Sequence, residues 1–232
     1  MTPALCVKFA FVNWYSDMRK VLLLAICLHS CVCATVQAQD YLVEGVDCGD
    51  LAVIHEQGSY GPFDYTNPEH FREKLPVVEQ HHFQRKIEML SESPLNLNNN
   101  LDYTLRAFPN HHRALYTMVR LRLRQQGEKY AGYPVECYLE RALRFKSDDG
   151  AVLTIYGIYL YKIAQYEQAT QKLKEAVMVS PESAEAHYNL GLVLYRTNRL
   201  DEAVKHAKIA NELGYPLDGL IRRLKQSDAW PP

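Results

Sequence analysis

The sequence predicts an all-α fold in which helical hairpins stack side by side into a solenoid. One observation is that small residues recur at an interval of 34 residues in the C-terminal half of the chain. A second is that the apolar residues between them fall at the three- and four-residue steps of a helix. A third is that proline or glycine follows each pair of helical stretches. Such a period indicates repeats that bury apolar surface only by stacking on their neighbours.

The two clearest repeats cover residues 150–183 and 184–216. In the first, helical stretches over residues 151–162 and 166–179 carry apolar residues on one side. A glycine inside a helix costs about 1 kcal/mol relative to alanine, so the glycines predict that a second helix approaches closely. The residues assigned to helix contacts and to the repeat end are Gly157, Ala169, Ala176, Pro181, Gly191, Ala203 and Ala210.

These residues resemble the tetratricopeptide repeat family, whose pattern combines aromatic residues, a Leu-Gly pair, spaced alanines and a proline. Residues 150–183 follow the pattern with Tyr156-Gly157 and Tyr166, and residues 184–216 follow it with Leu190-Gly191. His187 departs from it at the first large position. The resemblance implies a tetratricopeptide-type helical-hairpin solenoid with an irregular N-terminal capping segment.

Two further repeats precede the clear ones. Residues 112–149 are interpreted as a repeat whose inter-helix loop is longer, with an insertion near residues 127–134 that contains loop-forming glycines and a proline. Residues 78–111 are interpreted as a degenerate repeat with helical stretches over 76–90 and 97–108. The sequence therefore predicts two clear repeats, one expanded repeat and one degenerate repeat.

Both ends of the array require cover, because a solenoid exposes apolar surface at its terminal repeats. The array spans residues 76–216, and residues 217–232 are predicted to form a capping helix over 217–224 and a tail with Trp230. At the other end, residues 39–75 show no repeat and are predicted to form an irregular cap.

An aromatic, turn-rich stretch lies within this cap, from Tyr60 to Pro68. Together with residues 103–112 it resembles segments of uncharacterised exported bacterial repeat proteins. A capping role is favoured for the stretch, and a binding loop is the alternative.

Residues 1–38 have the organisation of a secretory signal peptide. Arg19 and Lys20 precede an apolar run over residues 21–28, and Val36-Gln37-Ala38 is an A-x-A-like cleavage site. Met18 is a candidate start of this leader. The apolar run is shorter than the roughly 18 residues that a membrane-spanning helix needs, so no integral span is expected. The sequence predicts export, to the periplasm or outside the cell, and a lipid anchor fits less well.

Charge and cysteine content fit an exported interaction module. Without the leader the chain keeps 23 basic and 26 acidic residues, a net charge of −3. This small charge argues against a general nucleic-acid or membrane-surface binder. Two cysteines remain, Cys48 and Cys137, and they form either a disulfide or two buried thiols.

Two histidine pairs are weak candidates for metal ligands. His81-His82 and His111-His112 lie about one repeat apart. Adjacent helix residues point about 100° apart, so neither pair chelates as an i, i+4 pair does. Asn110 is predicted to be a helix N-cap, which gives His111 and His112 a structural explanation. No cofactor is expected, and no nucleophile elbow or phosphate loop is present in the sequence.

The family resemblance implies where a ligand would bind, because the first helix of each repeat lines a concave groove. The groove positions carried over to this chain are Arg113, Tyr116, Arg120, Arg124, Tyr161, Lys162, Tyr188, Asn189, Tyr195 and Arg196, accompanied by Leu123, Thr154, Ile158 and Leu192. Tyrosine and arginine are typical of protein-binding surfaces.

The function predicted from these features is a non-enzymatic scaffold in a bacterial cell envelope that binds another protein or a peptide. One alternative is an envelope glycan-binding or polysaccharide-assembly scaffold, since tyrosines also stack on sugars. The other is a hydrolase or metal-dependent enzyme with a site in the N-terminal half.

Overall fold

The computed structural model describes Cys48 and residues 60–125 and 133–230. Every regular element in these residues is a helix, which confirms the predicted all-α fold. The helices, in chain order, are α1 (Pro68–Glu73), α2 (Leu75–His82), α3 (Arg85–Glu88), α4 (Pro94–Ala107), α5 (His112–Arg124), α6 (Val135–Phe145), α7 (Gly150–Lys162), α8 (Tyr166–Val179), α9 (Ala184–Arg196), α10 (Leu200–Glu212) and α11 (Gly219–Gln226). The predicted signal peptide and residues 127–132 of the predicted insertion lie outside the described residues.

Three helical hairpins form the array: α5 with α6, α7 with α8, and α9 with α10. We call the first helix of each hairpin (α5, α7, α9) an A helix and the second (α6, α8, α10) a B helix. The A helices contact one another in succession, α5 on α7 and α7 on α9. The buried side chains of both sets belong to one continuous hydrophobic core.

The small residues lie where helices approach most closely. A Cβ atom added to Gly157 would lie 2.4 Å from Cγ of Leu173 in the partner B helix. At Gly191 an added Cβ would lie 2.5 Å from Cδ2 of Leu220 in α11. The second glycine therefore makes room for the C-terminal helix. The alanines of the B helices are fully buried as well: Ala169, Ala176, Ala203 and Ala210.

Side-chain caps fix the beginnings of several helices. Asp149 accepts a hydrogen bond from the Val152 amide at the start of α7, and Ser183 accepts one from Ala186 at the start of α9. The prediction that Asn110 caps α5 is wrong, because His111 is the N-cap. The side chain of Asn110 is instead used in contacts with distant parts of the chain.

The predicted continuous helix over residues 76–90 is divided in the structure. Helix α2 ends at His82, and α3 begins at Arg85 after an extended Gln84. Phe83 lies between them with a non-helical backbone, and its side chain is buried in the main core. Ile87, near the end of α3, is buried in the same core.

The N-terminal segment packs on the junction between α4 and α5. The amide of Phe63 donates to the carbonyl of Ala107 at 2.8 Å, and the amide of Tyr65 donates to Oδ1 of Asn110 at 2.9 Å. The rings of Phe63 and Phe108 lie 5.4 Å apart. This segment thus covers a second, smaller apolar cluster at the start of the array.

A disulfide joins Cys48 to Cys137 of α6, with an S–S distance of 2.05 Å. Both cysteines are buried. The bond closes a loop of the chain across a sequence separation of 89 residues. It therefore links the segment that precedes the helices to the expanded repeat.

The C-terminal end of the array is covered by α11. Leu220 and Leu224 are fully buried, and Trp230 is half-buried against the same core. The helix begins two residues later than the predicted start at residue 217, because Pro216 and Leu217 continue the turn that follows α10. In the residues that the structure describes, none of the helices combines the length and apolarity needed to span a bilayer.

Candidate functional site: the exposed face of the A helices

Repeat spacing aligns the outward residues of the three A helices. Equivalent positions differ by 38 residues between α5 and α7 and by 34 between α7 and α9. From the start of the helices to their ends, the rows are Tyr116–Thr154–Tyr188, Arg120–Ile158–Leu192, Leu123–Tyr161–Tyr195 and Arg124–Lys162–Arg196. We call the surface formed by these rows the A-helix face.

Helix α3 covers one end of this face. Arg113 donates from Nε and one terminal nitrogen to both carboxylate oxygens of Glu88, at 2.9 and 2.7 Å, and from the other to Glu79 at 3.0 Å. Arg120 donates to the backbone carbonyl of Glu88 at 3.2 Å. These two predicted groove arginines therefore hold α3 on the array. The hydrogen bond from Arg113 is also the main reason why the pKa of Glu88 is lowered.

Beside these arginines lies an open cleft of about 780 Å³ between α2, α3 and α5. Its wall includes Phe83, over whose ring the Arg113 guanidinium lies at 5.2 Å, and Met89. The carboxylates in the cleft, Glu79 and Glu88, are both paired with Arg113. Arg85 also lines the cleft, so two cations balance the two carboxylates and the lining is close to neutral and partly apolar.

Among the described residues, the rest of the face carries half-buried and exposed side chains. Tyr161 and Tyr195 are half-buried and pack on the core, and the rim beyond them carries the exposed cations Arg124, Lys162 and Arg196. Thr154, predicted to face the groove, is buried with its hydroxyl donated to the Gly150 carbonyl at 2.8 Å.

Arg196 is held in place by an aromatic neighbour that the sequence pattern did not assign to the site. Its Nε donates to the hydroxyl of Tyr166 at 3.2 Å, and its guanidinium lies 5.7 Å from the centre of that ring. The ring of Tyr161 lies 5.9 Å from the same tyrosine. Tyr166 thereby connects the aromatic row to the cationic rim.

Tyrosines form the opposite edge of the face. The ring of Tyr188 stacks on Tyr215 with centroids 4.3 Å apart, and Tyr116 is 44% exposed. Burial raises the pKa of Tyr215, and the nearby groups of Glu185, Tyr188 and Tyr116 raise it further. Tyr215 was missed by the sequence reasoning because it lies in the turn after α10, outside any A helix. Asn189 is half-buried next to this edge and donates to the Glu185 carbonyl at 2.8 Å.

The histidines of α5 belong to a structural network. Nδ1 of His111 accepts from the Ala114 amide, so Nε2 carries the proton and donates to Glu79 at 3.1 Å. Nε2 of His112 donates to Asp149 at 2.9 Å. Burial lowers the pKa of His111. For Asp149 burial alone would raise the pKa, but the hydrogen bonds from His112 and Asn110 bring it below its ordinary value.

Other histidines also have ordinary partners. His82 stacks on Tyr103 with ring centres 3.8 Å apart, and its Nδ1 lies 3.2 Å from Oδ1 of Asn100. Nε2 of His187 donates to the Pro181 carbonyl, so its Nδ1 accepts from Nδ1 of His206 at 2.9 Å. Within residues 60–125 and 133–230, together with Cys48, no three histidine, cysteine or acidic side chains are grouped to hold a metal ion.

The fold and this face define a helical-hairpin repeat protein, and one family model matches part of the array. A family model described as TPR repeat matches residues 160–198, which cover the end of α7 and all of α8 and α9. Residues 160–198 therefore match the tetratricopeptide repeat model, in agreement with the helical-hairpin repeats of the structure. Comparison with curated proteins gave no match.

Three of the solved structures that match this chain are the following. PilF of Pseudomonas aeruginosa is 21% identical, with a TM-score of 0.51 and 67% of each chain covered. MamA from Desulfovibrio magneticus RS-1 is 19% identical over 68% of this chain and 89% of its own, with a TM-score of 0.47. YrrB, described as a TPR protein with an unusual peptide-binding site, is 16% identical over 59% and 69%, with a TM-score of 0.45. At 21% identity the likeness to PilF concerns the fold alone.

Proposed function

We propose that this protein is a non-enzymatic scaffold of a bacterial cell envelope that binds a segment of a partner protein on the A-helix face. The observation that carries the proposal is the open part of this face, where half-buried Tyr161 and Tyr195 lie beside exposed Arg196. Tetratricopeptide-like arrays create extended concave surfaces for binding. Tyrosine and arginine are the side chains that most often anchor protein interfaces.

We expect the triple substitution Tyr161→Ala, Tyr195→Ala and Arg196→Ala to abolish partner binding while the protein stays folded. Truncation of an interface anchor costs about 2 kcal/mol or more of binding free energy. Because both tyrosines also pack on the core, we expect the free energy of unfolding to fall by about 1–3 kcal/mol. The measurement is capture of partners from an envelope extract, followed by binding of the purified partner to each variant.

The matched control is Tyr103→Ala, which removes a tyrosine that is 40% exposed on α4, outside the A-helix face. This variant should retain the partner. Retention of the partner by a folded triple variant would contradict the proposal. Retention on polysaccharide resin, with no protein captured, would favour the glycan-binding alternative.

We also propose that the protein is exported and cleaved after Ala38. The leader pattern supports this proposal, and so does the disulfide between Cys48 and Cys137, since disulfides persist in oxidising compartments. Mass spectrometry of the envelope fraction should find an N-terminus near Gln39. A full-length chain, or a chain with lipid on a leader cysteine, would contradict this proposal.

A further inference from the structure

One rim of the A-helix face carries a regular row of positive charge. Arg124, Lys162 and Arg196 occupy the last turn of α5, α7 and α9, and each side chain is exposed. We call these three residues the cationic row. Because the A helices contact one another in succession, neighbouring charges are separated by about one interhelical distance, roughly 8–10 Å.

The charges of this row are not neutralised by the described part of the protein. No carboxylate among residues 60–125 and 133–230 lies within 4.0 Å of any of the three charged groups. By contrast, Arg113 on the same face is paired with two carboxylates. Within the described residues, Arg196 makes its polar contact with the neutral phenol of Tyr166, which leaves its charge unpaired there.

Each cation also stabilises its own helix by interacting with the negative C-terminal end of the helix dipole. That effect explains a basic residue at each helix end, whether or not it faces a ligand. It does not explain why the row borders an apolar and aromatic strip. This strip lies one residue earlier in each helix and forms a second row beside the cations. Its members are the half-buried residues Leu123, Tyr161 and Tyr195.

The two parallel rows fit an extended chain that crosses the A helices. A polyproline II segment advances about 3.1 Å per residue and presents the same side every third residue, about 9.3 Å apart. This repeat matches the interhelical distance, and aromatic grooves commonly bind polyproline II segments. A carboxylate at every third position would meet one cation after another while the other side chains contact the tyrosines.

Given that the A-helix face binds a partner segment as proposed above, we infer that the segment is an acidic, extended peptide with carboxylates at three-residue intervals. Its carboxylates pair with the cationic row, and its apolar or proline side chains lie on Leu123, Tyr161 and Tyr195. The interaction is electrostatic at the rim and apolar in the centre, so it weakens as salt screens the charges.

Three labelled peptides of equal length test this inference by fluorescence anisotropy at low and high salt. The first has three glutamates separated by two residues each, in a proline-rich context. In the second, glutamine replaces each glutamate, and in the third the glutamates are adjacent. We expect the first peptide to bind about tenfold more tightly than the second, since each exposed ion pair contributes roughly a twofold to fivefold gain in affinity. The adjacent-glutamate peptide should fall between them.

Variants of the protein assign the effect to the cationic row. Arg124→Gln, Lys162→Gln and Arg196→Gln in combination should reduce the affinity for the first peptide about tenfold. Arg124→Lys with Arg196→Lys keeps the charges and should retain most of the affinity. The matched control is Lys174→Gln, Lys205→Gln and Lys208→Gln, which removes three exposed cations from the B helices and should change little.

Several results would overturn the inference. One is that the first peptide does not bind, and another is that the glutamate and glutamine peptides bind equally well. A third is that the A-helix and B-helix charge variants lose the same affinity for the first peptide. An oligonucleotide that binds more tightly than the first peptide, with the same dependence on the row, would replace the acidic peptide with a nucleic acid. If the envelope partner is lost on replacement of Tyr161 and Tyr195 but retained by the glutamine variant, the scaffold function stands and the acidic specificity fails.

Discussion

Removal of the disulfide between Cys48 and Cys137 is expected to lower the free energy of unfolding by about 2–5 kcal/mol. The bond spans a sequence separation of 89 residues, and a long closed loop restricts the unfolded chain strongly; for about 100 residues the chain-entropy model gives about 4.7 kcal/mol. Formation of the bond costs little packing in the folded state, because both cysteine side chains lie in the buried core.

Guanidinium unfolding of the mature form checks this expectation, with Cys48→Ala and Cys137→Ala combined. Alanine is preferred over serine because a buried hydroxyl without a partner adds a cost of its own. Wild-type protein with a reducing agent should approach the double variant, whereas the double variant should not respond to reduction. Identical midpoints for oxidised and reduced wild-type protein would show that the bond does not form or does not stabilise the fold.

The repeat helices could be predicted closely because their signals are local. The stretch predicted over residues 166–179 is α8, Tyr166–Val179, and the stretch over 151–162 differs from α7 by one residue. In these repeats apolar periodicity, a close-contact glycine and a terminal proline all indicate the same boundaries. Sequence reasoning succeeds where propensity and packing agree.

The N-terminal half was harder to predict because distant contacts decide its details. Asn110 is a good N-cap by residue type, but its side chain accepts from Tyr65 and donates to Asp64 and Asp149. His111 takes the capping position instead. The partners lie 39 to 46 residues away in sequence, so no local pattern reveals them.

The candidate site was predicted in part. The family positions gave the tyrosines and cations of α7 and α9, which the structure places on one face. They also gave Arg113 and Arg120, whose contacts with Glu88 depend on where α3 lies. Tyr215 was missed because a turn residue has no assigned place in a helix-based pattern. Periodicity predicts which side of a helix faces away from the core, but it does not predict which other segments of the chain pack on that side.

The second large effect is expected from overpacking the B helices. Ala169 and Ala203 occupy equivalent positions, 34 residues apart, and both are fully buried. Leucine at either position adds three carbon atoms to a contact that is already close. Gly157 shows how little room exists between α7 and α8, since even a Cβ would lie 2.4 Å from Leu173. We expect Ala169→Leu and Ala203→Leu each to cost about 1–3 kcal/mol of the free energy of unfolding.

The two variants should differ in what they unfold, because each repeat is stabilised by its neighbours. Ala169 lies in an interior hairpin, so its substitution should destabilise the array on both sides. Ala203 lies in the last hairpin, next to α11, so its substitution should loosen α9 to α11 first. Hydrogen exchange distinguishes these outcomes, and Gln168→Leu, an exposed change on α8, is the control. If the unfolding midpoints of both variants equal that of the control, the helix contacts on which the repeat register depends would be contradicted.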